Sequence, residues 1–177
     1  MALKAWKKLS ESVLFRNPWW TYKRDVIVPP SGKTGEYHYV YTNGSSMVVP
    51  ISGDGKLILV NQYRYLLGKE SIEFPCGSVK NGSTHDKTAR EELLEETGYS
   101  ARVLMPAGEF NPYNGVTSEM CRVYVARELE FLGGTPDDTE EFEIVRLAPD
   151  EVDKQIQTGV IWDGMTIAAW SIAKAKM

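Results

Sequence analysis

Apolar residues at Leu3, Trp6, Leu9, Val13 and Leu14 recur mostly at intervals of three and four, which predicts a short amphipathic helix closed before Pro18. Strands are expected from Arg24 to Val28 and from Tyr37 to Tyr41, with turns at Pro29-Pro30-Ser31-Gly32 and at Asn43-Gly44. The runs Met47 to Ile51 and Leu57 to Val60 flank Gly53-Asp54-Gly55 and read as a hairpin. Residues 84–97 are helical in pattern and are stopped by Gly98, the residue type that takes a left-handed cap most cheaply. Further strands are expected around Val103, from Met120 to Ala126 and from Phe142 to Leu147, with a polar loop from Gly133 to Glu141 before the last. Pro149 to Gln157 and Thr166 to Lys174 read as two closing helices. The order predicts an α/β chain, a mixed β-sheet sandwiched between α-helices. An N-terminal arm of helix and strands would occupy 1–45 and the main domain 46–177.

Composition narrows the function classes. The 177 residues are 42% hydrophobic, enough for a sizeable core, and the formal net charge is −4. No dense basic face exists to hold a phosphate backbone, so nucleic acid is excluded as a partner. No stretch approaches the ~20 apolar residues of a membrane span, and the start, with Lys4, Lys7 and Lys8, lacks the apolar run of a signal peptide. Cys76 and Cys121 are far apart in sequence and, with two histidines, form no zinc-site spacing. Free thiols in a reducing cytoplasm are expected.

Chemistry concentrates in Glu91-Glu92-Leu93-Leu94-Glu95-Glu96-Thr97-Gly98. At about 100° per residue, Glu92, Glu95 and Glu96 fall within roughly 100° of one helix face. Like charges three and four apart repel by a few tenths of a kcal/mol per pair, and a helix C-terminus disfavours anions further. A divalent cation reverses both penalties, and hard oxygen ligands select magnesium or manganese. A solvated glutamate-rich face is the alternative. The apolar stripe of Ala89, Leu93 and Leu94 is thin for a purely structural helix.

The segment from Gly77 to Tyr99 resembles the Nudix box: Gly, five residues, Glu, seven residues, Arg-Glu, an aliphatic, any residue, Glu-Glu, any residue, Gly, then an aliphatic or aromatic residue. Gly77, Glu92, Leu93, Glu95, Glu96, Gly98 and Tyr99 are in register. Ser83 stands where the pattern has its first Glu, and Glu91 where it has Arg. In the family those two residues pack loop against helix, and losing both together leaves no orphan charge. Ser83 with Asp86 reads as a capping box that would start the helix by another route. Arg90 would point about 100° away from the expected Arg and is no replacement.

The flanking residues resemble the ADP-ribose pyrophosphatase and nucleoside-diphosphate-sugar pyrophosphatase group. They are Val60-Asn61-Gln62-Tyr63-Arg64, Glu73-Phe74-Pro75-Cys76-Gly77, Gly108-Glu109-Phe110-Asn111-Pro112 and Gly115-Val116-Thr117-Ser118-Glu119. The resemblance implies the Nudix fold and magnesium-dependent cleavage of a nucleotide-sugar diphosphate, ADP-ribose giving AMP and ribose 5-phosphate. It implies Glu92, Glu95, Glu96 and the Cys76 carbonyl as metal ligands, with manganese as a substitute ion. Arg64 and Glu73 would meet the substrate, Arg64 at a phosphate, as would Pro112 and Glu119, the last near the terminal ribose. Glu141, rather than Glu140, would be the general base, with Glu95 and Glu96 completing the catalytic set. Trp20, with Trp19 and Tyr22, would stack on adenine or serve core packing or a dimer contact. The resemblance also implies a homodimer sharing the arm. GDP-mannose, a nucleoside triphosphate, or binding without cleavage remain alternatives.

Overall fold

A computed structural model describes residues 3–133 and 143–177. The elements run β1 (Lys7–Arg16), β2 (Thr21–Val28), β3 (Gly35–Tyr41), β4 (Ser45–Pro50), β5 (Leu57–Arg64), β6 (Lys69–Glu73), β7 (Cys76–Ser78), α1 (His85–Thr97), β8 (Tyr99–Phe110), β9 (Cys121–Phe131), β10 (Glu143–Leu147), α2 (Pro149–Gln157) and α3 (Gly164–Lys174). They form two compact units: Met1–Asn43 with Asn111–Glu119, and Gly44–Phe110 with Met120–Met177.

The first unit is an antiparallel sheet in the order β1-β2-β3. Its first strand corrects the expected N-terminal helix. The ladder with β2 slips between Lys8 and Ser10 and again between Val13 and Phe15, so Leu9 and Leu14 are extra residues on β1. Each extra residue shifts the two-residue alternation by one. Apolar positions then repeat at three and four along an extended chain. Cross-strand charges favour the strand as well: Lys8 reaches Asp25 at 3.0 Å and Lys23 reaches Glu11 at 2.8 Å. The 111–119 segment joins this unit through a bridge between Val40 and Thr117 and a hydrogen bond from the Tyr37 hydroxyl to the Gly115 carbonyl.

The second unit holds a four-stranded mixed sheet, β7-β4-β9-β8, and a three-stranded sheet, β10-β5-β6. Here β4 runs parallel to β9 and antiparallel to β7. Side chains alternate across the mixed sheet. Met47, Val49, Cys121, Val123 and Val125 face a core shared with Leu57, Leu59, Phe74, Val152 and Trp170. Val48, Tyr124 and Ala126 face the other way, against Ala89 and Leu93 of α1. The sheet is thus covered on both faces there, as the unbroken apolar runs Met47-Val48-Val49 and Val123-Tyr124-Val125-Ala126 require. The expected hairpin at Gly53-Asp54-Gly55 is a corner instead. Ile51, just past β4, makes a single bridge to Leu57 at the start of β5, and the two strands lie in different sheets.

Helix α1 begins and ends as its sequence dictates, with one change. Thr84, not Ser83, is the N-cap, its hydroxyl accepting from the Lys87 N–H at 3.3 Å. Ser83 turns instead to the Thr88 hydroxyl at 3.4 Å. Gly98 closes the helix at φ 74°, its N–H on the Leu94 carbonyl.

Candidate active site

The tight junction between β7 and α1 positions the carboxylates. A Cβ added to Gly77 would lie 1.9 Å from Glu92 Oε1, so only glycine lets that carboxylate rest on the strand. One turn on, Glu96 is 8% exposed, an unusual depth for a carboxylate at a helix C-terminus. Both charges act on Cys76. Its thiol is raised well above the ordinary range, first by a hydrogen bond with Cys121, then by burial, then by Glu96 and Glu92. The structure therefore gathers Glu92, Glu96, Gly77 and Cys76 at one place. Glu95 is exposed on the flank of the same helix.

Arg64 and Glu73 meet each other. The guanidinium makes two hydrogen bonds to the carboxylate, Nε to Oε1 at 2.7 Å and Nη2 to Oε2. Glu73 is 4% exposed at its side chain and Arg64 46%. The pair with Glu73 holds the guanidinium above its usual value despite burial, and Asp163 and Cys76 add to the effect. Arg64 thus stays cationic, close enough to feel the Cys76 end of β7. Sequence reasoning gave both residues separate substrate roles and missed their pairing, since Arg64 faces Lys69 in the strand register and Glu73 faces Val60.

Of the remaining sequence-predicted residues, Trp20, Pro112 and Glu119 belong to the first unit. Trp20, 38% exposed, packs on Phe15 with ring centroids 5.5 Å apart. In the same unit Asn111 Nδ2 donates to the Glu119 carbonyl at 2.6 Å. Glu140 and Glu141 fall outside the described residues. A cavity of about 490 Å³ lined by Trp170 and Lys174, and another of about 420 Å³ lined by Arg122 and Tyr124, include none of these residues.

The donor set at β7 and α1 is a fit for a hard divalent cation. Glu92, resting on Gly77, and the buried Glu96 supply hard carboxylate oxygens. Among the described residues no three His, Cys, Asp or Glu side chains close a metal site by themselves.

A missed neighbour sits at the other end of α1. His85 Nδ1 lies 3.1 Å from the Ser45 carbonyl and 3.1 Å from Ser46 Oγ, and burial keeps the imidazole below its usual pKa. Its spacing of seven and eleven residues from Glu92 and Glu96 was the available signal.

The NUDIX domain family matches residues 41–168. The chain is 31% identical over 150 residues to an ADP-ribose pyrophosphatase of Bacillus subtilis, covering 84% of this chain and 80% of that protein. It is 32% identical over 148 residues to a methanol dehydrogenase activator of Bacillus methanolicus, covering 82% and 80%. An ADP compounds hydrolase crystal structure shares the fold at a TM-score of 0.85 and 21% identity, over 99% of this chain and 95% of that one. With the box register, the fold and the family match in agreement, this chain belongs to the Nudix family.

Proposed function

We propose that the protein hydrolyses the diphosphate of a nucleotide sugar, ADP-ribose above all, to AMP and ribose 5-phosphate. The observation that carries the reading is the packing of Glu92 on Gly77 beside a buried Glu96, both acting on Cys76. Glu92, Glu96 and the Cys76 carbonyl hold magnesium, with manganese as a substitute, and Glu95 is a further carboxylate within reach. When bound, magnesium neutralises diphosphate charge and acidifies water for attack on phosphorus.

Every other part falls to the chain itself. Arg64 brings a permanent cation to the phosphates, and Glu73 aims its guanidinium. Glu141 takes the proton of the attacking water, from the acid-rich sequence Asp137-Asp138-Thr139-Glu140-Glu141. Pro112 and Glu119 are substrate contacts and Trp20 is a stacking surface for the base. The N-terminal arm, 1–45, serves a homodimer of a cytoplasmic enzyme, its exposed Trp6, Phe15 and Trp19 being apolar surface of the kind subunits cover.

The test is a panel of nucleotide sugars, ADP-ribose and GDP-mannose among them, with nucleoside triphosphates beside them, assayed with and without magnesium. Magnesium-dependent release of AMP from ADP-ribose, faster than cleavage of the others, is expected. Binding without any cleavage across the panel would overturn the enzymatic reading.

A further inference from the structure

The face of α1 that carries the carboxylates also carries an anchor. His85 precedes Glu92 by seven residues and Glu96 by eleven, which places all three within about 20° of one line along the helix. At that N-terminal end the imidazole is wedged in place. A Cβ added to Gly44 would come within 2.9 Å of His85 Cε1, so the ring fills the space beside that glycine. The Ser45 carbonyl can only accept, so Nδ1 carries the proton and donates to it at 3.1 Å. The buried Ser46 hydroxyl returns a bond, donating to the His85 carbonyl at 3.0 Å.

Ser46 also pairs across the β4–β7 ladder with Gly77, the residue on which Glu92 rests. One strand position therefore ties the start of α1 to the point where its carboxylates must arrive. The tie adds to one other polar link between helix and sheet, Arg90 Nη1 donating to the Ala101 carbonyl at 3.0 Å. Ala89 and Leu93 are its buried apolar residues, and such contacts hold a distance better than an angle. The two positions that join loop to helix in the family have other partners here: Ser83 meets Thr88, and Glu91 meets Lys87 at 3.6 Å.

We propose that His85 and Ser46 form a positioning clasp that sets the roll of α1, and through it the placement of Glu92 and Glu96 for a divalent cation. This rests on the reading of those carboxylates as metal ligands. A roll of about 20° sweeps a carboxylate about 6 Å from the helix axis through about 2 Å, far outside the roughly 0.5 Å within which a site must be held. His85 is in this arrangement a positioning residue that acts through the helix.

The test is manganese binding to the full-length metal-free protein, read from the free Mn²⁺ paramagnetic resonance signal, with melting curves alongside. His85→Ala should weaken Mn²⁺ about tenfold, the usual size of an indirect effect on a metal site. His85→Asn, whose amide nitrogen reproduces Nδ1, should bind within about threefold of wild type, and His85→Gln, which reaches past that position, should not. Ser46→Ala should weaken binding severalfold and decides the matter if His85→Ala fails to fold. Glu96→Gln is the control for the underlying reading. If Glu96→Gln binds Mn²⁺ like wild type, the metal assignment itself is wrong. If Glu96→Gln loses the ion while His85→Ala and Ser46→Ala bind normally, or if the Asn and Gln variants behave alike, the clasp is overturned.

Discussion

The two ends of α1 follow opposite rules. At its start Thr84 caps the helix, Asp86 lies in the first turn where the dipole favours an anion, and Arg90 pairs with Asp86 at 3.2 Å. At its end there is no basic residue in the last turn, and Glu92, Glu95 and Glu96 crowd the negative pole. The first end is built to fold and the second is built at the expense of folding. An arrangement that opposes helix stability, yet presses one carboxylate on a glycine and buries another, is intelligible as a cation site.

The largest break in that contrast is Glu96→Gln. It removes one charge at nearly constant shape, and magnesium-dependent hydrolysis should fall by about a hundredfold or more in steady-state assays. Gly77→Ala comes next. The new Cβ would lie 1.9 Å from Glu92 Oε1, so the carboxylate end must swing aside. Hydrolysis should drop at least about tenfold, since misplacement near 1 Å is that damaging. The melting temperature should hardly move, because a flexible side-chain end gives way easily.

Thr84→Ala tests the other end. Losing the cap should destabilise the protein by about 1 kcal/mol, or about 2–4 °C in melting temperature, with the maximal rate within about twofold. A rate loss larger than the stability loss would mean the two ends are not separable. The smallest effect lies between them. Glu91→Arg alone places a cation four residues after Lys87 and forfeits their pairing, a loss of a few tenths of a kcal/mol. Adding Ser83→Glu should offset it through a new contact, and a double-mutant cycle with no coupling energy would show that the two sites do not meet.

How much was legible beforehand follows the same division between local and long-range causes. Helix α1 was readable because its cap region, its period and Gly98 are neighbours in sequence, although the cap itself moved from Ser83 to Thr84. Spacing put Glu92, Glu95 and Glu96 on one face of α1, and the structure sets the first and last of them beside β7 while Glu95 is exposed. Strand β1 was misread because two extra residues, Leu9 and Leu14, gave an extended chain a helical period. The corner at Gly53-Asp54-Gly55 looked like a hairpin because the choice of sheet is made by distant partners, β9 for one strand and β10 for the other. The Arg64–Glu73 pair and the His85–Ser46 contacts depend on strand register and helix docking, which no local pattern states.

The most direct test of the account is thermal unfolding of wild type and Glu96→Gln, each with and without magnesium. The carboxylate cluster is held to be tolerable only with a cation. Wild type should therefore melt several degrees higher when magnesium is present at many times its dissociation constant, since a ligand bound only to the folded state stabilises it. Glu96→Gln should melt higher than wild type without metal, because one repelling buried charge is gone, and should lose most of the magnesium response. A Glu96→Gln protein that melts lower than wild type without metal, or that magnesium stabilises as fully as wild type, would contradict the claim.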